Sequence, residues 1–272
     1  MLTISTQATV EWVINEMEQW APPCWAEDFD NVGLLVGDKT QPVKKILVAL
    51  DATDAVVAEA VAGSYDCIIT HHALIFAPLK QIVASDDTGR RILKLAKHGI
   101  SLYTAHTNLD KAPGGVNDCL AKKLGMDNAA PMVPDPLIKG IGLGLVAQLP
   151  VETTLGKLAA HVKASLKLES VRYSGSLSAK IKKAALCGGS GMSFWQHAKD
   201  ADCHVYITGD IKYSDALGAL AAGLCLLDIT HYSGENIVVE AIVERLRTKA
   251  QQAGIPLEIS PTTVNGQTFY TV

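Results

Sequence analysis

Short apolar runs alternate with polar and amphipathic stretches along most of the chain. Runs such as KKILVALD and YDCIIT have the length and the aliphatic, β-branched composition that are typical of buried strands. The predicted strands are 44–51, 65–70, 100–107, 141–149, 181–187, 203–208 and 224–230. The predicted helices are 54–62, 88–98, 153–165, 191–200, 212–222 and 234–252, after an N-terminal amphipathic helix that contains Val10, Val13, Ile14 and Met17. This alternation predicts an α/β fold, in which helices cover a sheet.

The order of these elements repeats along the chain. A lysine pair begins a strand at residue 44, and Thr70 ends the next strand; a second pair begins a strand at residue 182, and Thr208 ends the next. Both offsets are 138 residues (182 − 44 and 208 − 70). We therefore predict two α/β halves of similar topology, which arose by duplication or resemble each other only as any two βαβ units do.

Composition and charge narrow the classes of protein that fit this pattern. The chain has 272 residues, 48% apolar, and a net charge of 24 − 28 = −4, which disfavours a general nucleic-acid binder. The longest apolar runs fall short of about 18 residues, so we predict no membrane span. Six cysteines form no Cys-x-x-Cys motif, which predicts a cytoplasmic protein without disulfides.

Polar residues follow the predicted strands at corresponding places in the two halves. The first half has His71, His72, His106 and Asp110; the second has Gly209, Asp210, His231 and Glu235. Because ligands bind at the carboxyl ends of strands in open α/β sheets, these residues are candidates for one binding site.

Five of these residues suggest metal chemistry. His231 and Glu235 are four positions apart, so in a helix they share one face, and Asp110 lies in a predicted loop. With His71 and His72 they supply three imidazoles and two carboxylates, more than one tetrahedral zinc ion uses. Such a set suits two cations about 3.5–4 Å apart with a water-derived oxygen between them as the nucleophile. The adjacent histidines either face different metals, or the chain bends after Thr70 so that both face one cavity. The alternative to metal binding is that both histidines have only a structural role.

Other motifs allow two interpretations each. His106 is either an orienting partner of a ligand or a core histidine. The CGGSG stretch, which contains Gly189, either cradles a phosphate with its backbone amides or forms a tight turn. The stretch DFDNVGLLVGD is interpreted as a turn. Lys80, Lys111 and Lys212 lie beside the motifs and are candidates for holding phosphate oxygens.

Six motifs together resemble the NIF-three-like dinuclear metal centre family, whose members are often called GTP cyclohydrolase I type 2 homologues. The motifs are DNVGLLVG, THHALIF, HTNLD, CGGSG, YITGD and DITHYSGE, and they span nearly the whole chain in the family's order. The resemblance implies two intertwined α/β halves with mixed sheets and a toroidal homohexamer with metal sites facing an internal cavity. It implies two divalent ions held by His71, His72, Asp110, His231 and Glu235. Ala73 departs from the proline that the family commonly has after the histidines.

The resemblance and the metal chemistry together set the functional expectations. We expect one lobe of residues 1–127 and 229–272, carrying most metal ligands, and a second of residues 128–228. We expect a metal-dependent hydrolase acting on a nucleotide or another small phosphorylated substrate, by GTP ring opening or by phosphoester cleavage. The alternative is a hexamer that binds metal without catalysis. Zinc, manganese, iron, cobalt and nickel all suit nitrogen and oxygen ligands.

Overall fold

Two units make up the chain, and each contains one mixed β-sheet. The computed structural model describes residues 7–271. The first unit runs to Leu109 and resumes at Val239–Gly266; the second contains Asp110–Val238 and the residues from Gln267 onward. Within residues 7–271, no helix combines the length and the apolar character that crossing a bilayer requires.

The first unit contains a five-stranded sheet and the helices around it. Its elements are β1 (Ala8–Thr9), α1 (Val10–Trp20), β2 (Gly33–Val36), β3 (Pro42–Val43), β4 (Lys45–Ala49), α2 (Asp54–Ala62), β5 (Cys67–Thr70), α3 (Asp87–His98), β6 (Ser101–Thr104) and α4 (Thr107–Lys111), which runs into the second unit. Local sequence sets the helix ends. The Thr53 hydroxyl accepts from Val56 N at 3.2 Å before α2, and Gly99 ends α3 in the left-handed conformation that favours glycine.

The second unit contains a six-stranded sheet. Its elements are α5 (Val116–Lys123), β7 (Ala130–Pro134), β8 (Gly142–Thr154), α6 (Leu155–Ser165), β9 (Arg172–Ser174), β10 (Lys180–Leu186), α7 (Trp195–Asp200), β11 (Val205–Thr208), α8 (Tyr213–Ala221), β12 (Cys225–Asp228) and α9 (His231–Glu235). The chain then continues through α10 (Ile237–Ala253) to β13 (Glu258–Pro261), which returns to the first sheet.

Strand order brings the strand ends together in each unit. The first sheet has the order β13-β4-β5-β6-β2, with β13, β4, β5 and β6 parallel and β2 antiparallel to β6. The second has the order β7-β8-β10-β11-β12-β9, with β10, β11 and β12 parallel and β8 and β9 antiparallel to their neighbours. The carboxyl ends of four parallel strands therefore share one edge of the first sheet, and those of three share one edge of the second.

Aliphatic side chains on these strands form the core of each unit. Leu47, Ile68 and Leu102, from three adjacent strands, pack with Val57 of α2 and Leu95 of α3 in the first unit. In the second, a cluster that includes Ala184, Val205 and Leu227 packs with helices α5 and α6. Burial of these apolar surfaces fixes the strands from which the candidate site residues extend.

The predicted fold class is confirmed. Both units are α/β, both sheets are mixed, and each has three adjacent parallel strands in chain order. Thr70 and Thr208, which the sequence placed at equivalent strand ends, are the last residues of β5 and β11.

Several details differ from the sequence-based expectation. Asp110 lies in helix α4 instead of a loop, and the predicted helix 234–252 is divided into α9 and α10. Gly33–Val36 forms an edge strand where a turn was expected, because β6 pairs with it. Residues 110–127 and 229–238, predicted in the first lobe, fall in the second unit, as do the residues from Gln267 onward. Within that unit, α5 packs against α9 and β8.

Candidate metal sites

The chain bends immediately after β5, and the bend brings the two adjacent histidine rings together. Thr70 ends the strand, and its hydroxyl donates to His72 O at 2.9 Å, while His72 N donates to Leu50 O at 2.9 Å. The ring centroids of His71 and His72 are 5.2 Å apart. The chain therefore bends after Thr70, as one of the two alternatives that the sequence left open requires.

A third imidazole, His106, joins this pair in the first unit. It lies two residues beyond the end of β6, whose Thr104 is paired in register with Thr70. Its ring centroid is 5.1 Å from that of His71 and 5.6 Å from that of His72. The three histidines each offer a ligand atom within 4.8 Å of the others, a spacing at which they could hold a metal ion.

Oxygen acceptors hold the Nδ1 atom of every histidine in this cluster. A hydrogen on Nδ1 leaves the lone pair of a neutral imidazole on Nε2, and metal-binding histidines in proteins are commonly oriented in this way. His71 Nδ1 donates to Ala105 O at 2.9 Å, His72 Nδ1 to Asp51 Oδ1 at 2.8 Å and His106 Nδ1 to Asp30 Oδ1 at 2.8 Å. The candidate metal ligand on each of the three histidines is therefore Nε2.

Asp30 connects the DFDNVG stretch to this cluster. Its side chain is 0% exposed, and it accepts from Thr107 N at 3.0 Å and from the Thr107 hydroxyl at 2.5 Å, in addition to His106. Burial acts to raise the pKa of the Asp30 carboxyl, but the hydrogen bonds from His106 and Thr107 outweigh it and hold that pKa well below its usual range. Asp30 is therefore a carboxylate at neutral pH.

The second unit repeats the arrangement at the end of its own parallel strands. His231 begins α9, and its Nε2 lies 2.9 Å from Glu235 Oε2, one helical turn later. Its Nδ1 lies 2.7 Å from Asp210 Oδ2, and Asp210 follows β11 at the position 138 residues beyond His72. Thr230, just before His231, has φ +64° and ψ 155°, a strained conformation for a β-branched residue.

The CGGSG loop packs directly against Glu235. A Cβ atom on Gly189, which has φ +62°, would lie 1.9 Å from Glu235 Oε1 and 3.3 Å from His231 Nε2. Gly188 N donates to Asn117 Oδ1 at 2.9 Å, and Gly191 N donates to the Thr208 hydroxyl at 3.0 Å. The glycines thus leave room for a carboxylate, and two of the loop amides are engaged with side chains.

Asp110 lies beside Glu235 in the same unit. One ligand oxygen of each lies within 4.8 Å of the other, and Asn117 Nδ2 donates to Asp110 O at 3.0 Å. Burial raises the pKa of the nearby Cys187 thiol, and the charges of Asp110 and Glu235 raise it further. The two carboxylates thus concentrate negative charge, which a divalent cation would neutralise.

The family model for Duf34/NIF3 (NGG1p interacting factor 3) matches residues 8–266. The chain belongs to this family. It is 38% identical over 237 residues to a GTP cyclohydrolase 1 type 2 homolog of Clostridium perfringens, with 87% of this chain and 90% of that protein covered. A homolog of the same name from Lactococcus lactis is 38% identical over 236 residues, covering 86% of this chain and 89% of its own length.

Solved structures agree with this assignment. The Bacillus cereus protein related to NIF3 superposes with a TM-score of 0.92 at 26% identity, and 97% of this chain and 99% of that one are covered. A Staphylococcus aureus hypothetical protein superposes with a TM-score of 0.90 at 33% identity, with the same coverage. The Duf34/NIF3 fold therefore extends over nearly the whole chain.

The residues that were predicted to bind phosphate in this Duf34/NIF3 chain do not share one environment. Lys111 Nζ lies 3.6 Å from Asp135 Oδ2, and the side chain is 10% exposed. Lys80 and Lys212 are exposed, in the loop after β5 and just before α8. Gly189 faces the carboxylate of Glu235. A phosphate role for these residues stays a prediction.

Sequence reasoning missed three carboxylates in the Duf34/NIF3 chain that orient histidines: Asp30, Asp51 and Asp210. Asp51 and Asp210 lie just beyond the ends of β4 and β11, and Asp30 lies three residues before β2. Asp210 was noted at a strand end but given no role. For Asp51 and Asp210, a carboxyl residue just beyond an apolar run was the available signal.

A metal ion fits the donor chemistry of both units. Four imidazoles have Nδ1 engaged with oxygen, and two carboxylates lie within 4.8 Å of each other. Nitrogen and oxygen donors of this kind suit first-row transition metals. The glycine at 189 keeps open the space in which Glu235 lies.

Proposed function

We propose that this Duf34/NIF3 protein binds two divalent metal ions and hydrolyses a small phosphorylated substrate such as a nucleotide. One observation carries the proposal. His71, His72, His106 and His231 all have Nδ1 within hydrogen-bond distance of an oxygen acceptor, in two units that each contain three adjacent parallel strands in chain order. Metal-binding histidines in proteins commonly have their other ring nitrogen held by an oxygen in this way.

Five residues hold the ions in this proposal: His71, His72, Asp110, His231 and Glu235. Asp51 and Asp210 orient two of the imidazoles and raise their basicity, since each carboxylate accepts the Nδ1 hydrogen. Asp30 does the same for His106, which lies with the ligands. When bound, divalent ions lower the pKa of a coordinated water and polarise the bond under attack.

Relatives support a nucleotide as the substrate. Proteins that are 38% identical to this chain carry the name GTP cyclohydrolase 1 type 2 homolog. Two reactions are consistent with the donor set. In one, water opens the imidazole ring of the GTP base at C8, and this reaction also agrees with that name; in the other, water attacks a phosphoester.

An activity comparison tests the proposal. Protein stripped of metal by chelation is reloaded separately with Zn²⁺, Mn²⁺, Fe²⁺, Co²⁺ and Ni²⁺ and assayed with GTP and with bis-p-nitrophenyl phosphate. Activity that needs the metal, and that disappears in Asp110→Ala and His231→Ala, supports a hydrolase. A protein that binds metal in every preparation but hydrolyses neither compound would instead support the non-enzymatic alternative.

The homohexamer is a second part of the proposal, and its support is the family resemblance. The chain mass is 28.9 kDa. Light scattering on the purified protein should give six times this mass. A mass equal to one chain at micromolar concentration would refute the hexamer.

A further inference from the structure

Two exposed phenylalanines lie beside the histidine cluster of the first unit. Phe29 is 63% exposed and Phe76 is 52% exposed, yet their ring centroids are only 6.2 Å apart. The Phe76 ring meets His106 edge to face, with centroids 6.4 Å apart and an interplanar angle of 78°. Single exposed apolar residues are common, but an exposed aromatic pair against candidate ligands is not explained by packing.

Polar contacts hold this pair in place. Phe29 precedes Asp30, which is bound to His106 and Thr107, and Asn31 Nδ2 donates to Ile75 O at 2.5 Å. These bonds join the DFDNVG stretch to the loop that carries Phe76. The segments that carry the two rings are therefore joined before any ligand arrives, and this lowers the conformational entropy lost on binding.

We propose that Phe29 and Phe76 form the binding surface for the planar ring of the substrate, a nucleobase. The inference rests on the proposed function for the identity of the reaction, but the aromatic surface is a property of the first unit alone. A base stacked on Phe76 would lie next to His106, whose ring is 5.1 Å from His71. Aromatic side chains stack on any base, because every base has a π-face.

This role gives the DNVGLLVG motif a function that the sequence did not reveal. Asp30 orients His106 and Asn31 fixes the opposite loop, while Phe29, the residue just before the motif, supplies part of the aromatic surface. Gly33 begins the edge strand with φ +104°, a conformation that glycine adopts without strain. Phe29 and the motif that follows it therefore connect substrate recognition with the orientation of a histidine.

Calorimetric titration with GMP and with ribose 5-phosphate, which lacks the base, tests the inference. The titrations use wild type, Phe29→Ala, Phe76→Ala and the control Phe269→Ala, whose ring is 77% exposed in the other unit. Each protein is tested with bound metal and after chelation, and its metal content and solution mass are measured. We expect GMP to bind about 5- to 150-fold more weakly to Phe29→Ala and Phe76→Ala, and normally to Phe269→Ala.

The outcomes separate the two proposals. Unchanged GMP affinity in both variants would overturn the inference, as would equal affinity of wild type for GMP and ribose 5-phosphate, or no binding of GMP. A change of solution mass without a change of GMP affinity would show that the pair is a subunit contact and would also overturn it. Failure to bind metal would defeat the proposed function, while a base-dependent loss of affinity in the chelated protein would still support the aromatic surface.

Discussion

His231 Nδ1 lies 2.7 Å from Asp210 Oδ2, and this contact joins the loop after β11 to the first residue of α9. The carboxylate fixes the imidazole so that Nε2 is directed toward Glu235, 2.9 Å away. Asp210 has φ +52°, a left-handed conformation that aspartate tolerates better than most residues. The conformation of this loop thus places Asp210 where it orients the candidate ligand His231.

Asp210→Asn should weaken metal binding while the fold survives. An amide accepts the Nδ1 hydrogen less strongly, and loss of an orienting carboxylate typically costs about 10- to 100-fold in metal affinity. Competition titration with a chromophoric chelator measures the change. Asp202→Asn is the matched control, because Asp202 is exposed, lies in the same unit and has φ +53°. Equal metal affinity in the two variants would show that Asp210 does not orient a ligand.

Gly189→Ala should destabilise the protein and reduce its metal affinity more than a comparable glycine substitution does. The new Cβ would lie 1.9 Å from Glu235 Oε1, so the carboxylate must move. Gly125→Ala is the control, since Gly125 has φ +68° and nothing within 4 Å of its added Cβ. The control should lose about 1 kcal/mol in free energy of unfolding from backbone strain alone and keep its metal. Denaturant unfolding and metal titration of both variants provide the test.

Thiol labelling should distinguish the buried cysteines from Cys24. Burial raises the pKa of Cys67 to about 12 and that of Cys203 to about 11, and it also raises the pKa of Cys187. Because the thiolate is the reactive form, these three should resist iodoacetamide at pH 8, whereas exposed Cys24 should react. Peptide mass mapping after a timed reaction measures each site. Labelling of Cys187 at the rate of Cys24 would contradict the buried position beside Asp110 and Glu235.

Glu59 should contribute stability at neutral pH that disappears in acid. Burial acts to raise its pKa, but hydrogen bonds from Thr262 and Thr263 outweigh it, and the pKa is lowered in the folded protein. A lowered pKa means that the contribution is present above the unfolded value of about 4.3 and is lost as the pH falls through the folded value. Glu59→Gln should therefore lose about 1 kcal/mol at pH 7, and the loss should shrink below about pH 4.

Chemical unfolding across the pH range measures the Glu59 contribution. Exposed Glu240, changed to Gln, is the matched control for removal of a carboxylate from the same unit. A Glu59→Gln deficit that stays constant from pH 7 to pH 3 would show that the carboxylate charge plays no part in holding the residues after β13.

Apolar periodicity predicted the central strands well, and it failed for elements whose formation depends on a partner. The runs that form β4, β5 and β6 are buried except for Lys45 at the start of β4, so their composition alone identifies them. Gly33–Val36 is only four residues long and follows turn-forming residues, and its pairing with β6 determines that it is a strand. Asp110 was predicted in a loop because a five-residue helix has too few positions to show a period.

Sequence patterns likewise identified only some side chains of the candidate site. Histidines that follow strands were identifiable, because adjacent polar residues interrupt an apolar run. The carboxylates that orient these histidines were not identifiable, since His106 and Asp30 are 76 positions apart and His231 and Asp210 are 21 positions apart. Spacing of that kind leaves no local pattern, and only the order of the strands brings the partners together.

Metal content is the most direct test of the central claim. Protein purified without added metal or a metal-binding tag is analysed by elemental mass spectrometry, beside the five variants in which His71, His72, Asp110, His231 or Glu235 is replaced by alanine. We expect about two transition-metal ions per wild-type chain and a clear loss in each variant, with circular dichroism unchanged. Wild-type protein that contains no metal and takes up no divalent cation, or variants that all keep the wild-type content, would contradict the claim.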